Sequence, residues 1–259
     1  MEAQCFPNMK GIMSEPEKFS FDTIQNFDEH IDLSIPNYSF VAKQVSQYSE
    51  YFARDYTSVV DLGCSTGKLL LEMNHREKAS YYGYDISDNL LPRGSHKPIF
   101  IKGDLVQISE NTITVHEEAK SEKIITGVEK YARLTGISTF PKDISFAYSL
   151  FTLQFLPPIK RKTVVEAINA HLVPGGAFVS CEKIYSENAK LQDMTNSIYY
   201  EFKNQSFGAD KILSKERDLR SLHTLQTLEQ SMKDLSIIGT PQLFWMSYNF
   251  VGIIVIKDK

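Results

Sequence analysis

Two glycines and an aspartate near residue 60 form the part of the sequence best suited to bind a nucleoside. Asp61 ends an apolar run, and the turn LGCSTGK that follows leads into a leucine-rich segment. A phosphate-binding loop would need glycine at position 62 and Ser or Thr at position 69, but leucine occupies both. A dinucleotide fingerprint needs three glycines, whereas this turn has Gly63 and Gly67 with Ser65 between them. The turn therefore disfavours a ligand held by its diphosphate.

A nucleoside without phosphate fits the same turn and the acidic residues that follow it. S-adenosylmethionine (AdoMet) has an amino-acid tail that needs close approach of the backbone, which Gly63 and Gly67 allow. Asp85 ends the run YYGYD about 20 residues beyond the turn, the position from which a carboxylate binds ribose hydroxyls. Asp104, in GDL, stands where the adenine edge needs a polar contact. Together with Asp61, these positions predict an AdoMet site.

These residues need a sheet that brings strand ends together, and the pattern of the chain predicts one. Apolar runs typical of strands alternate with helical patterns, which predicts an α/β fold with a seven-stranded, mostly parallel, doubly wound sheet. The last two runs are too close for a crossover, so they are expected to form a C-terminal antiparallel hairpin. This is the Rossmann-like architecture of class I methyltransferases. The predicted strands are 58–62, 81–86, 98–102, 144–150, 177–182, 242–247 and 251–257.

The helical patterns predict two units. Residues 1–56 are expected to form an N-terminal helical cap, with an amphipathic helix at 39–52, and residues 57–259 the AdoMet-binding α/β domain. A further helix opens at Pro157 and Pro158 and ends before the turn PGG at 174–176.

Two segments of the α/β domain are expected to be additions to the alternating strands and helices. Residues 110–140 are rich in Glu and Lys, and they predict a surface insertion with a short helix near 124–134. Residues 186–235 predict a helical cover, in which leucines from position 219 to 235 form an apolar stripe.

Composition limits the classes of protein to which the chain can belong. With 42% apolar and 23% charged residues it has an ordinary globular composition, and its formal net charge of -4 disfavours direct binding of nucleic acid. Cys5, Cys64 and Cys181 lack the spacing of a disulfide framework or a metal site. No apolar run approaches the roughly 20 residues that span a bilayer. We expect a cytoplasmic protein without a membrane partner or a metal.

Five longer stretches of the sequence resemble a known family. They resemble the bacterial carboxy-S-adenosylmethionine synthases, and the similarity extends from about residue 21 to the C-terminus except for residues 110–140. The resemblance implies conversion of AdoMet and prephenate to carboxy-AdoMet and phenylpyruvate, for wobble-uridine modification of tRNA. It also implies a homodimer with residues 186–217 near the interface. The stretches are FDEHIDLSIPNYS, VVDLGCSTG, FTLQFLPP, LVPGGAFVSCEKIYSENAK and YYEFKNQSFGADKILSKER.

The resemblance also implies roles for individual residues. Tyr38 corresponds to a tyrosine that contacts AdoMet, and Arg217 to an arginine that pairs with the carboxylate of prephenate and of the product, so both are predicted catalytic residues. A guanidinium suits this role because it binds a carboxylate with two parallel hydrogen bonds. Leu150 departs from the family, which usually has asparagine there facing the donor. The predicted AdoMet-binding residues are Tyr38, Asp61, Gly63, Cys64, Ser65, Gly67, Asp85, Ile86, Asp104, Leu105 and Leu150.

Other functions remain open at this point. An ordinary AdoMet-dependent methyltransferase, acting on a small molecule or a nucleobase, would use the same donor pocket. A catalytically idle protein of the same fold could bind a partner through residues 110–140, and Leu150 keeps this alternative open. For a synthase of the resembling family, the expected small-molecule substrate is prephenate or another carboxylate. An Arg217 side chain directed at the sulfonium methyl would favour the synthase.

Overall fold

The computed structural model describes residue 24 and residues 26–93, 97–121 and 139–258, without the side chains of residues 115–121. Two helices precede the sheet, α1 (Phe27–Ser34) and α2 (Tyr38–Phe52). Each follows an asparagine, Asn26 or Asn37, in the left-handed backbone region, which asparagine adopts more readily than most residues. Both helices lie within the predicted N-terminal cap, and the division of the chain at residue 56 stays a prediction.

Strands and helices then alternate. The elements are β1 (Ser58–Leu62), α3 (Lys68–Glu72), β2 (Ser80–Asp85), β3 (Ile99–Lys102), α4 (Leu105–Ser121), β4 (Ile144–Leu150), a 3-10 turn (Leu153–Phe155), α5 (Pro158–His171), β5 (Leu172–Lys183), α6 (Ala189–Asn204), α7 (Ala209–Leu222), α8 (Leu228–Leu235), β6 (Gln242–Ser247) and β7 (Phe250–Ile256).

The strands form one seven-stranded sheet in the order β3-β2-β1-β4-β5-β7-β6. Strands β1 to β5 pair in parallel, and β7 is antiparallel to both β5 and β6. This confirms the predicted fold, including the C-terminal hairpin. The chain moves outward from β1 to β3 on one side and from β4 to β5 on the other. The carboxyl ends of β1 and β4 therefore flank the crevice in which open α/β sheets bind ligands.

Helices cover both faces of the sheet. On one face α4, α5 and α8 pack on the strands through a core that includes Ile108, Val164 and Leu235. On the other face α2, α3 and α6 contribute to a second core, with Val45, Leu70 and Tyr199 among its members. Every residue of β1 is buried, and because both faces of this central parallel strand are covered its sequence reads as a nearly continuous apolar run. Among the described helices, none is both long and apolar enough to span a bilayer.

The structure divides the predicted leucine stripe at 219–235 into two helices. Helix α7 ends at Leu222 and α8 begins at Leu228. The new start is fixed by a capping box: the Gln230 backbone N–H donates to Thr227 Oγ1 at 3.2 Å, and the Thr227 N–H donates to Gln230 Oε1 at 3.0 Å. Leu219 and Leu235, at the two ends of the stripe, are buried, but they belong to two separate helices.

The beginning of the predicted insertion is helical. Helix α4 extends from Leu105 through position 110 to Ser121. Asp104 caps its start, because Asp104 Oδ1 accepts a hydrogen bond from the Val106 N–H at 2.8 Å. The short helix predicted near 124–134 lies outside the described residues. The predicted turn at 174–176 is instead an irregularity within β5, because the pairing with β4 advances from Leu172 to Ala177 while β4 advances from Ile144 to Phe146.

Candidate active site

A cavity of about 610 Å³ lies at the carboxyl ends of the central strands. It brings together most of the residues predicted from sequence for the AdoMet site, although Gly67 and Arg217 are not among the described residues that line it. The lining includes Tyr38, Asp61, Gly63, Cys64, Ser65, Asp85, Ile86, Asp104, Leu105 and Leu150.

The turn after β1 is held by its own backbone. The N–H groups of Gly63 and Cys64 donate to the Tyr84 carbonyl at 2.7 and 3.0 Å. Gly63 has φ +85°, and a Cβ atom there would lie 2.1 Å from Thr152 Oγ1. At Gly67, with φ +67°, a Cβ atom would lie 2.3 Å from the Phe100 ring. Close packing and a positive φ therefore require glycine at both positions. Gly67 supports the conformation of the turn without lining the cavity.

Ser65 is the residue of this turn that offers an unused polar group. Its φ of 50° lies in the left-handed region, which costs a non-glycine residue energy that function often explains. Its backbone N–H donates to Asp85 Oδ2 at 2.8 Å, and its buried Oγ has no hydrogen-bond partner among the described protein atoms. A buried hydroxyl normally has a partner, so the turn fits a ligand with a polar tail.

Asp85 and Ile86 form the wall beside this turn. Asp85 Oδ1 accepts from the Ser87 N–H at 2.8 Å, while Oδ2 accepts from the Ser65 N–H. These two bonds orient the carboxylate at the end of β2, where ribose hydroxyls were predicted to bind. Ile86 is 67% exposed although it lines the cavity, so it offers apolar surface for a flat base to cover. The geometry suits a nucleoside.

Asp61 is a buried acidic residue in the wall of the cavity. It is 4% exposed, and burial raises its pKa to about 8, with the charge of Asp85 acting in the same direction and the neighbouring Tyr148 hydroxyl opposing it. Burial, together with the charges of Asp61 and Asp28, also raises the pKa of the Tyr38 hydroxyl. A positively charged ligand beside Asp61 would lower the pKa of its carboxyl group. This end of the cavity therefore favours a cation.

Leu150 and Phe151 form the wall at the end of β4. Phe151 has φ 58°, and its ring centroid lies 6.0 Å from that of Tyr38 and 5.8 Å from that of Phe250. Leu150 also lines the cavity, so apolar surface stands where the resembling family has an amide. The aromatic contacts make this wall suited to exclude water.

A cluster of lysines forms a third wall that sequence reasoning missed. Lys183, Lys203 and Lys215 all line the cavity, together with Glu216. The first three occur in the stretches EKI, EFK and SKE, within the segments that carry the family resemblance. No spacing in the sequence indicates that they meet, because they lie on β5, α6 and α7.

Arg217 is exposed on α7, next to the buried Glu216. The buried residues of this helix are Ile212, Glu216 and Leu219, which recur at helical spacing and so define the face directed inward. Successive residues of a helix point in different directions, since a turn takes 3.6 residues. In the single chain, Arg217 therefore lies outside the cavity, and its predicted catalytic role stays a prediction.

A buried ion pair supports the end of β5, which carries Lys183. Arg161, 1% exposed, lies 2.9 Å from Glu182 Oε2 and also donates to the carbonyls of Leu153 and Thr224 at 3.1 and 2.7 Å. These bonds tie the 3-10 turn to the segment between α7 and α8. Gln154 on that turn accepts a hydrogen bond from the Lys183 N–H at 2.6 Å. The network therefore positions the end of β5.

Comparison with known proteins agrees with this architecture. The family model described as "Methyltransferase domain" matches residues 34–235. Human N-acetylserotonin methyltransferase in complex with SAM (AdoMet) superposes with a TM-score of 0.52 at 15% identity, over 86% of this chain and 53% of that one. An O-methyltransferase family protein from Burkholderia thailandensis gives 0.52 at 11% identity, over 89% and 57%. The chain thus spans little more than half of these structures, which share its fold.

Curated relatives match along nearly their whole length. A carboxy-S-adenosyl-L-methionine synthase from Staphylococcus epidermidis is 28% identical over 92% of this chain and 95% of its own. One from Nitratiruptor sp. is 30% identical over 94% and 95%. The predictions of a transferase with the methyltransferase fold and of AdoMet as its cosubstrate are confirmed by these matches. The chain belongs to the carboxy-S-adenosyl-L-methionine synthase family, within the proteins that carry a methyltransferase domain.

Proposed function

We propose that this protein converts AdoMet and prephenate to carboxy-AdoMet and phenylpyruvate, in the cytoplasm, as a step towards wobble-uridine modification of tRNA. The observation that carries the proposal is a single cavity with two kinds of wall. Acidic groups, represented by Asp61 and Asp85, line one part, and the lysine cluster lines another. A cationic donor and an anionic acceptor could therefore share the cavity. The relatives that bear the synthase name add support to this assignment.

The chain's own residues would bind and orient both reactants. The Ser65 hydroxyl and the backbone of the turn would hold the amino-acid tail, and Asp85 the ribose. Bound AdoMet would supply a sulfonium methyl group that is acidic enough to lose a proton and to take up the carbon dioxide that prephenate releases. The proton would leave as water with the hydroxide that prephenate loses on becoming phenylpyruvate. Phe151, Tyr199 and Phe250, all of which line the cavity, would exclude water that could return a proton to the reacting carbon. The orientation of the two reactants and the charges of the residues around them would provide most of the rate acceleration.

The proposal includes a homodimer formed through α6 and α7. Leu191, Met194 and Ile198 are 54%, 52% and 49% exposed on α6, and Leu213 is 60% exposed on α7. The first three recur at helical spacing and so lie on one face, and exposed apolar side chains in a group often mark a protein interface. Replacing Met194 and Ile198 by glutamate should convert a dimer seen by sedimentation velocity at micromolar concentration to a monomer. A wild-type chain that sediments as a monomer would remove the dimer from the proposal.

An ordinary AdoMet-dependent methyltransferase is the second candidate. It is favoured by the exposed position of Arg217 and by the matching family model. In that case the lysine wall would receive a methyl acceptor.

Mass spectrometry of the nucleoside product distinguishes the two functions. The purified protein is incubated with AdoMet and prephenate, and in parallel with AdoMet alone. We expect a nucleoside heavier than AdoMet by one carbon dioxide, together with an equal amount of phenylpyruvate, only when prephenate is present. If AdoMet binds in a calorimeter but its mass never changes in this way, the synthase assignment is wrong and a methyl acceptor should be sought.

A further inference from the structure

The lysine wall is assembled by three separate elements. Lys183 ends β5, Lys203 lies in the last turn of α6, and Lys215 lies in the middle of α7. Lys183 and Lys203 are 7% and 2% exposed, although lysine is almost never fully buried unless it is paired. All three line the cavity. Their convergence on the cavity therefore needs a physical reason.

Glu216 balances only part of this positive charge. Its Oε1 lies 3.2 Å from Lys203 Nζ and its Oε2 lies 3.8 Å from Lys183 Nζ. Lys215 Nζ donates to His30 Nε2. Burial and the nearby lysines lower the pKa of His30 and of His223 to about 4, so both histidines are neutral at pH 7. Within this cluster, the ammonium groups of Lys183 and Lys203 share one carboxylate, that of Glu216.

The lysines also repel one another. Burial is the main cause that lowers the pKa of Lys215 to about 8, and the charge of Lys203 acts in the same direction. Burial and the charge of Lys203 likewise lower the pKa of Lys183, while Glu216 opposes them. Burying an excess of one charge is costly unless an opposite charge enters the site. The cluster is therefore prepared to receive an anion.

Aromatic rings beside the lysines indicate what kind of anion fits. The Nζ atoms of Lys183 and Lys203 lie 4.7 and 5.3 Å from the centroid of the Tyr199 ring, and Lys183 Nζ lies 5.8 Å from that of Phe250. Leu219 also lines the cavity. An inorganic ion would leave this apolar surface uncovered, whereas an organic acid would cover it.

We propose that Lys183, Lys203 and Lys215 form the binding subsite for the carboxylates of the acceptor, which is a small organic dianion with an apolar body. The inference rests on the proposed function for the identity of that acid, and it assigns the acceptor's carboxylates to three lysines inside the cavity. Glu216 is a positioning residue that holds two of the ammonium groups. Because the lysines belong to three elements, the subsite is complete only when α6 and α7 are packed on β5.

Calorimetry on the full chain tests the subsite without turnover. The protein is saturated with S-adenosylhomocysteine, which lacks the reacting methyl group, and is titrated with prephenate, succinate and malonate. Lys183→Met and Lys215→Met should each weaken the tightest of these by about 10- to 100-fold, as expected for the loss of a charge-assisted bond. Lys211→Met, on the exposed side of α7, is the matched control and should change the affinity less than twofold. Each variant must bind S-adenosylhomocysteine with wild-type affinity.

Glu216→Gln gives an independent test, because an ion-pair network with only a structural role would not make the variant bind dicarboxylates more tightly. It removes the only carboxylate that the described structure pairs with Lys203, so it should tighten dicarboxylate binding by about 3- to 10-fold even if the protein becomes less stable. Unchanged affinity in Glu216→Gln and in the lysine variants would overturn the inference. So would failure of the wild-type protein to bind any of the three acids.

The two proposals can fail separately. Lysine-dependent binding of an acid without formation of a carboxylated nucleoside would remove the synthase function and keep the subsite. Carboxy-AdoMet formation with an unchanged KM for prephenate in all lysine variants would keep the function and remove the subsite.

Discussion

The backbone N–H of Ser65 donates to Asp85 Oδ2 at 2.8 Å, which couples the turn after β1 to the end of β2. The same carboxylate accepts from the Ser87 N–H through its other oxygen. One side chain therefore fixes the turn that would hold the amino-acid tail of AdoMet, and the same side chain would contact the ribose.

Asp85→Asn should disrupt both functions of this carboxylate. The amide keeps one acceptor oxygen, but its NH₂ group would face a backbone N–H that now has no acceptor. We expect AdoMet affinity, measured by calorimetry, to fall by about 10- to 100-fold. Asp88→Asn, in an exposed position nearby, should bind as the wild type does. Equal affinities of the two variants would show that Asp85 does not hold the ligand.

Ser65→Gly should increase the stability of the protein and weaken its binding of AdoMet. Glycine adopts φ 50° without the cost that serine bears there, so the free energy of unfolding should rise by about 1 kcal/mol. The same change removes the unpaired hydroxyl, and AdoMet affinity should fall by about 3- to 30-fold.

Ser65→Ala is the matched control, because alanine lacks the hydroxyl but keeps the backbone strain. It should lose the same binding affinity without gaining stability in urea unfolding. If both variants bind AdoMet as tightly as the wild type, the serine hydroxyl has no part in the site.

Sequence patterns predicted the sheet well because its strands obey simple rules. The bounds of β1 and β4 match the predicted runs, since both strands are buried along almost their whole length and their apolar residues follow without interruption. The acidic residues at strand ends, Asp61 and Asp85, were found for a related reason. Parallel strands bring their carboxyl ends to one edge of the sheet, so acidic residues at the ends of successive strands are predicted to lie close together in space.

The lysine wall could not be predicted in this way. Lys183, Lys203 and Lys215 meet only because α6 and α7 fold back over the end of β5, and no short-range pattern carries that information. Arg217 illustrates the same limit on α7. The family motif indicates which segment lies near the site, but the rotational setting of the helix decides whether residue 216 or residue 217 faces inward, and packing of Ile212 and Leu219 sets that rotation.

Arg161→Met should be severely destabilising although it lies outside the cavity. The change leaves Glu182, 4% exposed, as a buried carboxylate without its ion-pair partner, which typically costs about 3–5 kcal/mol. Urea unfolding should show this loss. Arg76→Met is the control, because its pair with Asp55 is nearly half exposed and should contribute under about 1 kcal/mol. A similar loss in both variants would mean that burial does not govern the Arg161 pair.

Asp61 should make the stability of the protein and its affinity for AdoMet depend on pH in opposite directions. Its pKa rises from 3.8 to about 8 on folding, so between these values the folded state binds one proton more than the unfolded state. The stabilisation is complete below the lower pKa and is lost as pH rises towards the upper one, with a slope of about 1.4 kcal/mol per pH unit. Binding of a cation requires the ionised carboxylate, so affinity should increase with pH, by at most about tenfold per unit, until pH 8.

Asp61→Asn tests both slopes, because the amide does not titrate. Urea unfolding from pH 5 to pH 9 should show a flatter dependence in the variant than in the wild type, and the variant should be the more stable of the two above pH 8. Calorimetry over the same range should show weak AdoMet binding that no longer changes with pH. If the wild type and Asp61→Asn have parallel pH profiles, another group titrates, and Asp61 is ionised throughout because the bonds around it outweigh its burial.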